Sequence, residues 1–111
     1  MYQPDAAPEV MSSELPAGAY LLDVREDDEW AAGHVPDAVH VRLGELGARF
    51  GELPRDREIY VICRTGHRSA YAAQALAGGG LSTFNVADGM VGWAVAGRPM
   101  ISEDGAEPYV A

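Results

Sequence analysis

The sequence predicts an α/β fold in which one mostly parallel sheet of four or five strands carries helices on both faces. Three observations point there. The run Ile59-Tyr60-Val61-Ile62 is uniformly apolar, as in a strand covered on both sides. A second run, Ala19-Tyr20-Leu21-Leu22-Asp23-Val24, also lacks a clean in-out alternation. Between such runs lie short helical stretches bounded by glycine or proline, and strands that alternate with helices imply parallel crossovers.

In chain order, residues 1–8 hold two prolines and no hydrophobic period and read as an extended lead-in. A short edge strand is expected at 10–15, running into the turn at Pro16-Ala17-Gly18. The strand at 19–24 follows. Glu26-Asp27-Asp28-Glu29 then places four acids at a helix start, where they complement the positive end of the helix dipole. Gly33 stops that helix in the manner of a C-terminal glycine. After Pro36 a strand is expected at 38–43, a helix at 45–50 and turn chemistry at Pro54-Arg55-Asp56. The strand at 59–62 leads to an alanine-rich helix at 69–77, ended by three glycines. A strand at 82–86 and a short helix at 90–96 complete the pattern. The expected organisation is a single domain over 9–99 with an acidic, irregular tail at 100–111.

Composition narrows the function. The chain has 111 residues, the size of one domain, with 48% apolar and 23% charged residues, which is globular rather than disordered. Acids outnumber bases 17 to 8, a net charge of -9, so neither nucleic acid nor an anionic membrane is an expected partner. All eight bases are arginine, which removes Schiff-base chemistry and lysine-dependent phosphate loops. Cys63 is the one cysteine, so no intrachain disulfide, dithiol pair or multi-cysteine zinc site can form. His34, His40 and His67 lack metal-helix spacing, and neither metal nor cofactor is expected. No apolar run opens the chain, its first base is Arg25, and its longest uncharged stretch, 69–87, is broken by Gly78-Gly79-Gly80. A cytoplasmic location is the expectation.

The chemistry concentrates in Cys63-Arg64-Thr65-Gly66-His67-Arg68-Ser69, between a strand and a helix. Ligands of open α/β sheets bind beyond the carboxyl ends of the strands, where Cys63 falls. The loop enters a helix N-terminus, whose free N–H groups attract anions, and Gly66 can take the left-handed conformation that turns successive N–H groups inward. With Arg64 and Arg68 adjacent, these features favour thiolate over thiol. A lone cysteine ending an apolar strand is otherwise most often a small buried hydrophobe. Two arginines, a glycine and a helix start within six residues favour a reactive, nucleophilic Cys63 instead.

This loop resembles the active-site loop of the rhodanese-like sulfurtransferases, which commonly reads C-R-x-G-x-R-S. The likeness extends to Leu22-Asp23-Val24-Arg25-Glu26, Glu29-Trp30, Gly33-His34-Val35-Pro36 and Ala38, and downstream through Asn85-Val86, Asp88-Gly89 and Trp93 to Gly97-Arg98-Pro99. It implies a rhodanese-like α/β sandwich and a thiosulfate sulfurtransferase-like activity. Cys63 would take a sulfane sulfur from a small donor such as thiosulfate, carry it as a persulfide, and pass it to cyanide, a thiol or a sulfur-accepting protein. Arg64, Thr65, Gly66, His67, Arg68 and Ser69 would bind substrate, their N–H groups cradling the outer sulfur. Arg64 and Arg68 would hold the anionic donor and stabilise the thiolate. One departure is Asp88, where many relatives carry a glycine, and a carboxylate there bears on donor preference.

Other residues read as support. Asp23 and Arg25, at a strand end, are expected to brace neighbouring loops rather than line the pocket. Trp30 and Trp93 read as packing aromatics, His34 as a histidine satisfied by backbone bonds and the His67 side chain as solvent-facing. Two alternatives stand beside the enzyme. One is a catalytically silent rhodanese-like binding or regulatory module. The other is a cysteine-dependent phosphatase or arsenate reductase, whose loops resemble C-x5-R, whereas Cys63 to Arg68 is C-x4-R.

Overall fold

The computed structural model describes residues 7–111. Five strands form one wholly parallel sheet: β1 (Glu9–Val10), β2 (Tyr20–Asp23), β3 (Val39–His40), β4 (Ile59–Ile62) and β5 (Thr83–Val86), in the order β1-β5-β4-β2-β3. Among the described residues α1 (Asp27–Ala32) links β2 to β3, α2 (His67–Gly78) links β4 to β5, and α3 (Gly89–Val95) follows β5. The α/β class, the parallel sheet and helices on both faces agree with the expectation.

Period-two alternation divides the core. Ile59 and Val61 of β4, with Leu22 of β2, meet Ala72, Ala73 and Leu76 of α2 on one face. Tyr60 and Ile62, with Leu21 and Val86, meet Met90 and Trp93 of α3 on the other. Every residue of β4 is buried, which explains its unbroken apolar run. Burying one such side chain is worth about 1.5–3 kcal/mol, against a few tenths for helix propensity, so these two faces decide where the short helices sit.

Several elements depart from expectation. The edge strand expected at 10–15 pairs only through Glu9 and Val10. The chain then leaves the sheet in a 3-10 turn at Ser12–Glu14, because Asp88 accepts both the N–H of Ser12 (2.8 Å) and its hydroxyl (2.7 Å). The strand expected at 38–43 is reduced to β3. The helix expected at 45–50 is absent: Leu43–Glu45 and Phe50–Glu52 are separate 3-10 turns. Gly47 sits inside that stretch, where it costs a helix interior about 1 kcal/mol relative to alanine, and Gly44 and Gly51 flank it. Helix α2 starts two residues before its expected position. Gly33 ends α1 in an extended conformation (φ 176°), not a left-handed one; a Cβ there would meet Met100 Cε at 2.7 Å and the Tyr109 backbone.

That crowding comes from the tail. Residues 97–111 are irregular, yet Ile101 bridges His34, Glu103 N–H donates to Ala31 O (3.0 Å) and Tyr109 N–H to Ala32 O (3.1 Å). The lead-in expected at 1–8 lies outside the described residues except for Ala7 and Pro8, whose carbonyl accepts the N–H of Asn85 (2.9 Å).

Beneath α1 lies a fully buried ion pair. Arg25 donates from Nε and Nη2 to the Asp23 carboxylate (3.0 and 2.8 Å), and Nη2 also reaches Gly33 O (2.8 Å). Both side chains are essentially inaccessible. One guanidinium thus ties the end of β2 to the end of α1. Removing one partner of such a pair strands the other charge, at a cost of about 3–5 kcal/mol. Arg25→Met is expected to lose that much in urea unfolding; a loss below about 1 kcal/mol contradicts the brace.

Candidate active site

Cys63 follows the last residue of β4, at the carboxyl edge of the sheet. The start of α3 holds this strand end in place. The N–H of Met90 donates to Cys63 O (2.8 Å) and that of Val91 to Arg64 O (3.1 Å). So close an approach needs glycine at 89, where φ is +58° and a Cβ would strike the Arg64 carbonyl. Gly66 precedes α2 with φ +96°, and a Cβ there would run into the Ala87 carbonyl. The two glycines let the loop turn back over its own cysteine.

The result is a ring of donors around one sulfur. Gly66 N–H donates to Cys63 Sγ at 3.2 Å and Ser69 N–H at 3.4 Å, with Ser69 Oγ at 3.3 Å. Burial pushes the Cys63 thiol up. The Ser69 hydroxyl and the N–H groups of Ser69, Gly66 and Thr65 oppose it and prevail, so the thiol titrates below its ordinary value. Cys63 is only 1% exposed, so the sulfur sits on the floor of the bowl. Its reach to a donor depends on the loop above it.

The other sequence-predicted residues divide. Gly66 and Ser69 converge on the sulfur, while Arg64, Thr65 and His67 are exposed at the rim. Arg64 Nε donates to Ala111 O (3.1 Å), and Thr65 Oγ1 lies 3.4 Å from His67 Nδ1. Arg68 does not stand free. It grips Glu29 of α1 through two bonds, Nη1 to Oε1 at 2.7 Å and Nη2 to Oε2 at 2.8 Å. The Arg68 bond holds the Glu29 carboxyl below the usual range despite partial burial. Asp23 and Arg25 lie behind the site in their own pair. Asp88 turns its carboxylate to Ser12 rather than the bowl. Trp30 stacks between His34 and His40 at centroid distances of 3.6 and 4.6 Å, and His34 Nδ1 lies 2.8 Å from Trp30 O.

Sequence reasoning gives two further residues no role in the site. Glu29 reads as part of a solvated acidic helix start, yet it pairs with the loop arginine. Buried Asn85 contacts Ser69 Oγ at 2.6 Å; the signal available was a polar residue between Phe84 and Val86 of β5. Among the described residues no group of three His, Cys, Asp or Glu is placed to hold a metal ion.

Comparison with known proteins finds likeness over most of the chain. A family model described as Rhodanese-like domain matches residues 7–96. The chain is 42% identical over 80 residues to a protein of Bacillus subtilis (strain 168) named "Putative sulfurtransferase YtwF", covering 72% of this chain and 78% of that one. It is 33% identical over 82 residues to "Thiosulfate sulfurtransferase GlpE" of Pseudomonas syringae pv. syringae (strain B728a), covering 74% and 77%. The crystal structure of a rhodanese-related protein from Thermoplasma volcanium superposes with a TM-score of 0.81 at 30% identity, over 85% of this chain and 97% of that one.

Two measurements check this geometry. Forcing alanine into a left-handed conformation costs about 1–2 kcal/mol. Gly18→Ala, at φ +76° in open space, is expected to lose about that in urea unfolding, and Gly66→Ala distinctly more. Equal losses contradict the close approach at Ala87. For the thiol, the rate of iodoacetamide alkylation should rise with pH through a midpoint below the ~8.5 of free cysteine. A midpoint at or above that value contradicts the donor ring.

Proposed function

The chain belongs to the rhodanese-like domain family, and from that premise we propose that it is a sulfurtransferase working through a persulfide on Cys63. The observation that carries this reading is the Cys63 sulfur surrounded by Gly66 N–H, Ser69 N–H and Ser69 Oγ at 3.2–3.4 Å. Such a ring favours an anion the size of one sulfur atom.

The Cys63 thiolate attacks the outer sulfur of thiosulfate. The sulfur–sulfur bond of the donor breaks and sulfite leaves with the electron pair. The negative charge then rests on the outer sulfur of the persulfide, where the loop N–H groups stabilise it as it develops. Cyanide or a thiolate attacks that sulfur, and Cys63 returns as thiolate. Charge balances in both steps without oxidant, reductant or cofactor. Arg64, exposed at the rim, meets the anionic donor. Arg68, matched by Glu29, fixes the loop against α1 and contributes a screened positive field. The backbone N–H groups of Thr65, His67 and Ser69 complete the cradle. The donor is a small molecule, and the acceptor is cyanide, a small thiol or the thiol of a sulfur-accepting protein. Among the described residues no helix is long and apolar enough to cross a membrane. A cytoplasmic setting, which keeps a lone thiol reduced, suits the cycle.

The near-complete burial of Cys63 favours one competing reading, a binding module whose thiol no donor reaches. Intact-protein mass separates the two. After incubation with thiosulfate the protein is expected to gain the mass of one sulfur atom and lose it on adding cyanide, with no gain in Cys63→Ser. Absence of any gain with thiosulfate or a low-molecular-weight persulfide supports the module instead.

A further inference from the structure

We propose that Asn85 is a positioning residue for Cys63: its side-chain oxygen holds the single hydroxyl hydrogen of Ser69 away from the thiol, and gives it up when the thiol ionises. The inference rests on the preceding reading only in taking the thiolate as the working form.

The argument is a count of hydrogens. Asn85 sits on β5 and is 2% exposed. Its Nδ2 lies 3.0 Å from Glu9 Oε2 and 3.2 Å from Gly66 O, and both of these atoms only accept. Both amide hydrogens are therefore committed, and the opposite flip would set Oδ1 against two acceptors. Oδ1 must then accept from Ser69 Oγ, at a short 2.6 Å. Ser69 has one hydrogen. While Asn85 holds it, the 3.3 Å contact between Ser69 Oγ and Cys63 Sγ can be bonded only with the thiol as donor. The neutral state is thus fully bonded, from S–H to Ser69 Oγ and from Ser69 O–H to Asn85 Oδ1.

Ionisation reverses one link. The thiolate gains most if Ser69 turns its hydrogen to the sulfur, and that leaves Asn85 Oδ1 buried without a donor, at a cost. Ser69 therefore favours the thiolate while Asn85 restrains it, and their balance sets the fraction of nucleophile at a given pH. The charged groups around the sulfur are the Arg68–Glu29 pair toward α1, Arg64 and His67 on the rim, and Glu9 behind Asn85. The Asp23–Arg25 pair lies at the end of β2, and Asp88, before α3, faces Ser12. The substitutions below remove none of these charges.

The test is the pH midpoint of Cys63 alkylation in a double-substitution cycle. Ser69→Ala is expected to raise the midpoint by about half to one pH unit, the worth of one hydrogen bond to a charged sulfur. Asn85→Ala is expected to lower it by about half a unit. Ser69→Ala/Asn85→Ala is expected to show none of that lowering, because Asn85 restrains the thiolate through the hydroxyl; losing its bond to Gly66 O loosens a donor and acts in the opposite direction. A rise or no change in Asn85→Ala, or a lowering that persists without Ser69, overturns the proposal. Should Asn85→Ala not fold, the unmodified protein decides. Its one cysteine gives a single S–H stretching band, expected below the frequency of a free thiol at low pH and returning toward it in Ser69→Ala. An unshifted band overturns the proposal. Sulfur uptake from thiosulfate, read by mass on the same proteins, reports separately on the transferase reading.

Discussion

A buried sulfur anion can exist in this fold only because backbone hydrogens surround it. Taking a thiol out of water favours its neutral form, and at 1% exposure Cys63 is almost wholly removed from solvent. Two backbone N–H groups and a serine hydroxyl oppose that penalty from within 3.2–3.4 Å. They belong to the loop after β4 and the first turn of α2, so the electrostatics of the site are a property of chain path more than of charged side chains. The arginines add little by contact. Arg68 is committed to Glu29 and Arg64 reaches toward the end of the tail.

The rest of the structure secures that path. Helix α3 takes the carbonyls of Cys63 and Arg64 on its first N–H groups, which leaves the strand end no freedom to turn away. Glycine at 66 and 89 removes the two Cβ atoms that would keep the loop open. Asn85 fastens the Gly66 carbonyl to β5 and, through Glu9, to the sheet edge. Behind them the buried Asp23–Arg25 pair anchors α1, and α1 supplies the carboxylate that holds Arg68. Apart from the local Asp23–Arg25 pair, these contacts span elements distant in sequence, so the bowl is assembled only when the sheet is.

What could be read from the chain beforehand follows the range of the interaction. Ile59–Ile62 was legible because four apolar residues ending at a polar loop fit only a doubly covered strand. The loop itself was legible because a strand end, a glycine and a helix start lie within seven residues. The stretch 45–50 reads as helix in the sequence, but Gly47 within it and Gly44 and Gly51 beside it leave only two 3-10 turns. Gly33 marks the end of α1 in the sequence, but the reason for glycine there is not local: the tail at Tyr109, far along the chain, needs the space. Glu29 was hidden in an acidic run because its partner lies 39 positions away, and Asn85 because a buried hydrogen bond leaves no periodic trace.

The account stands or falls on where a transferred sulfur comes to rest. A crystal structure of the protein after exposure to thiosulfate measures this directly. The predicted result is one additional atom bonded to Cys63 Sγ, seated among the N–H groups of the loop between Arg64 and Ser69. Extra density turned outward into solvent, or a bare Sγ in a protein whose mass has nonetheless increased, would contradict it.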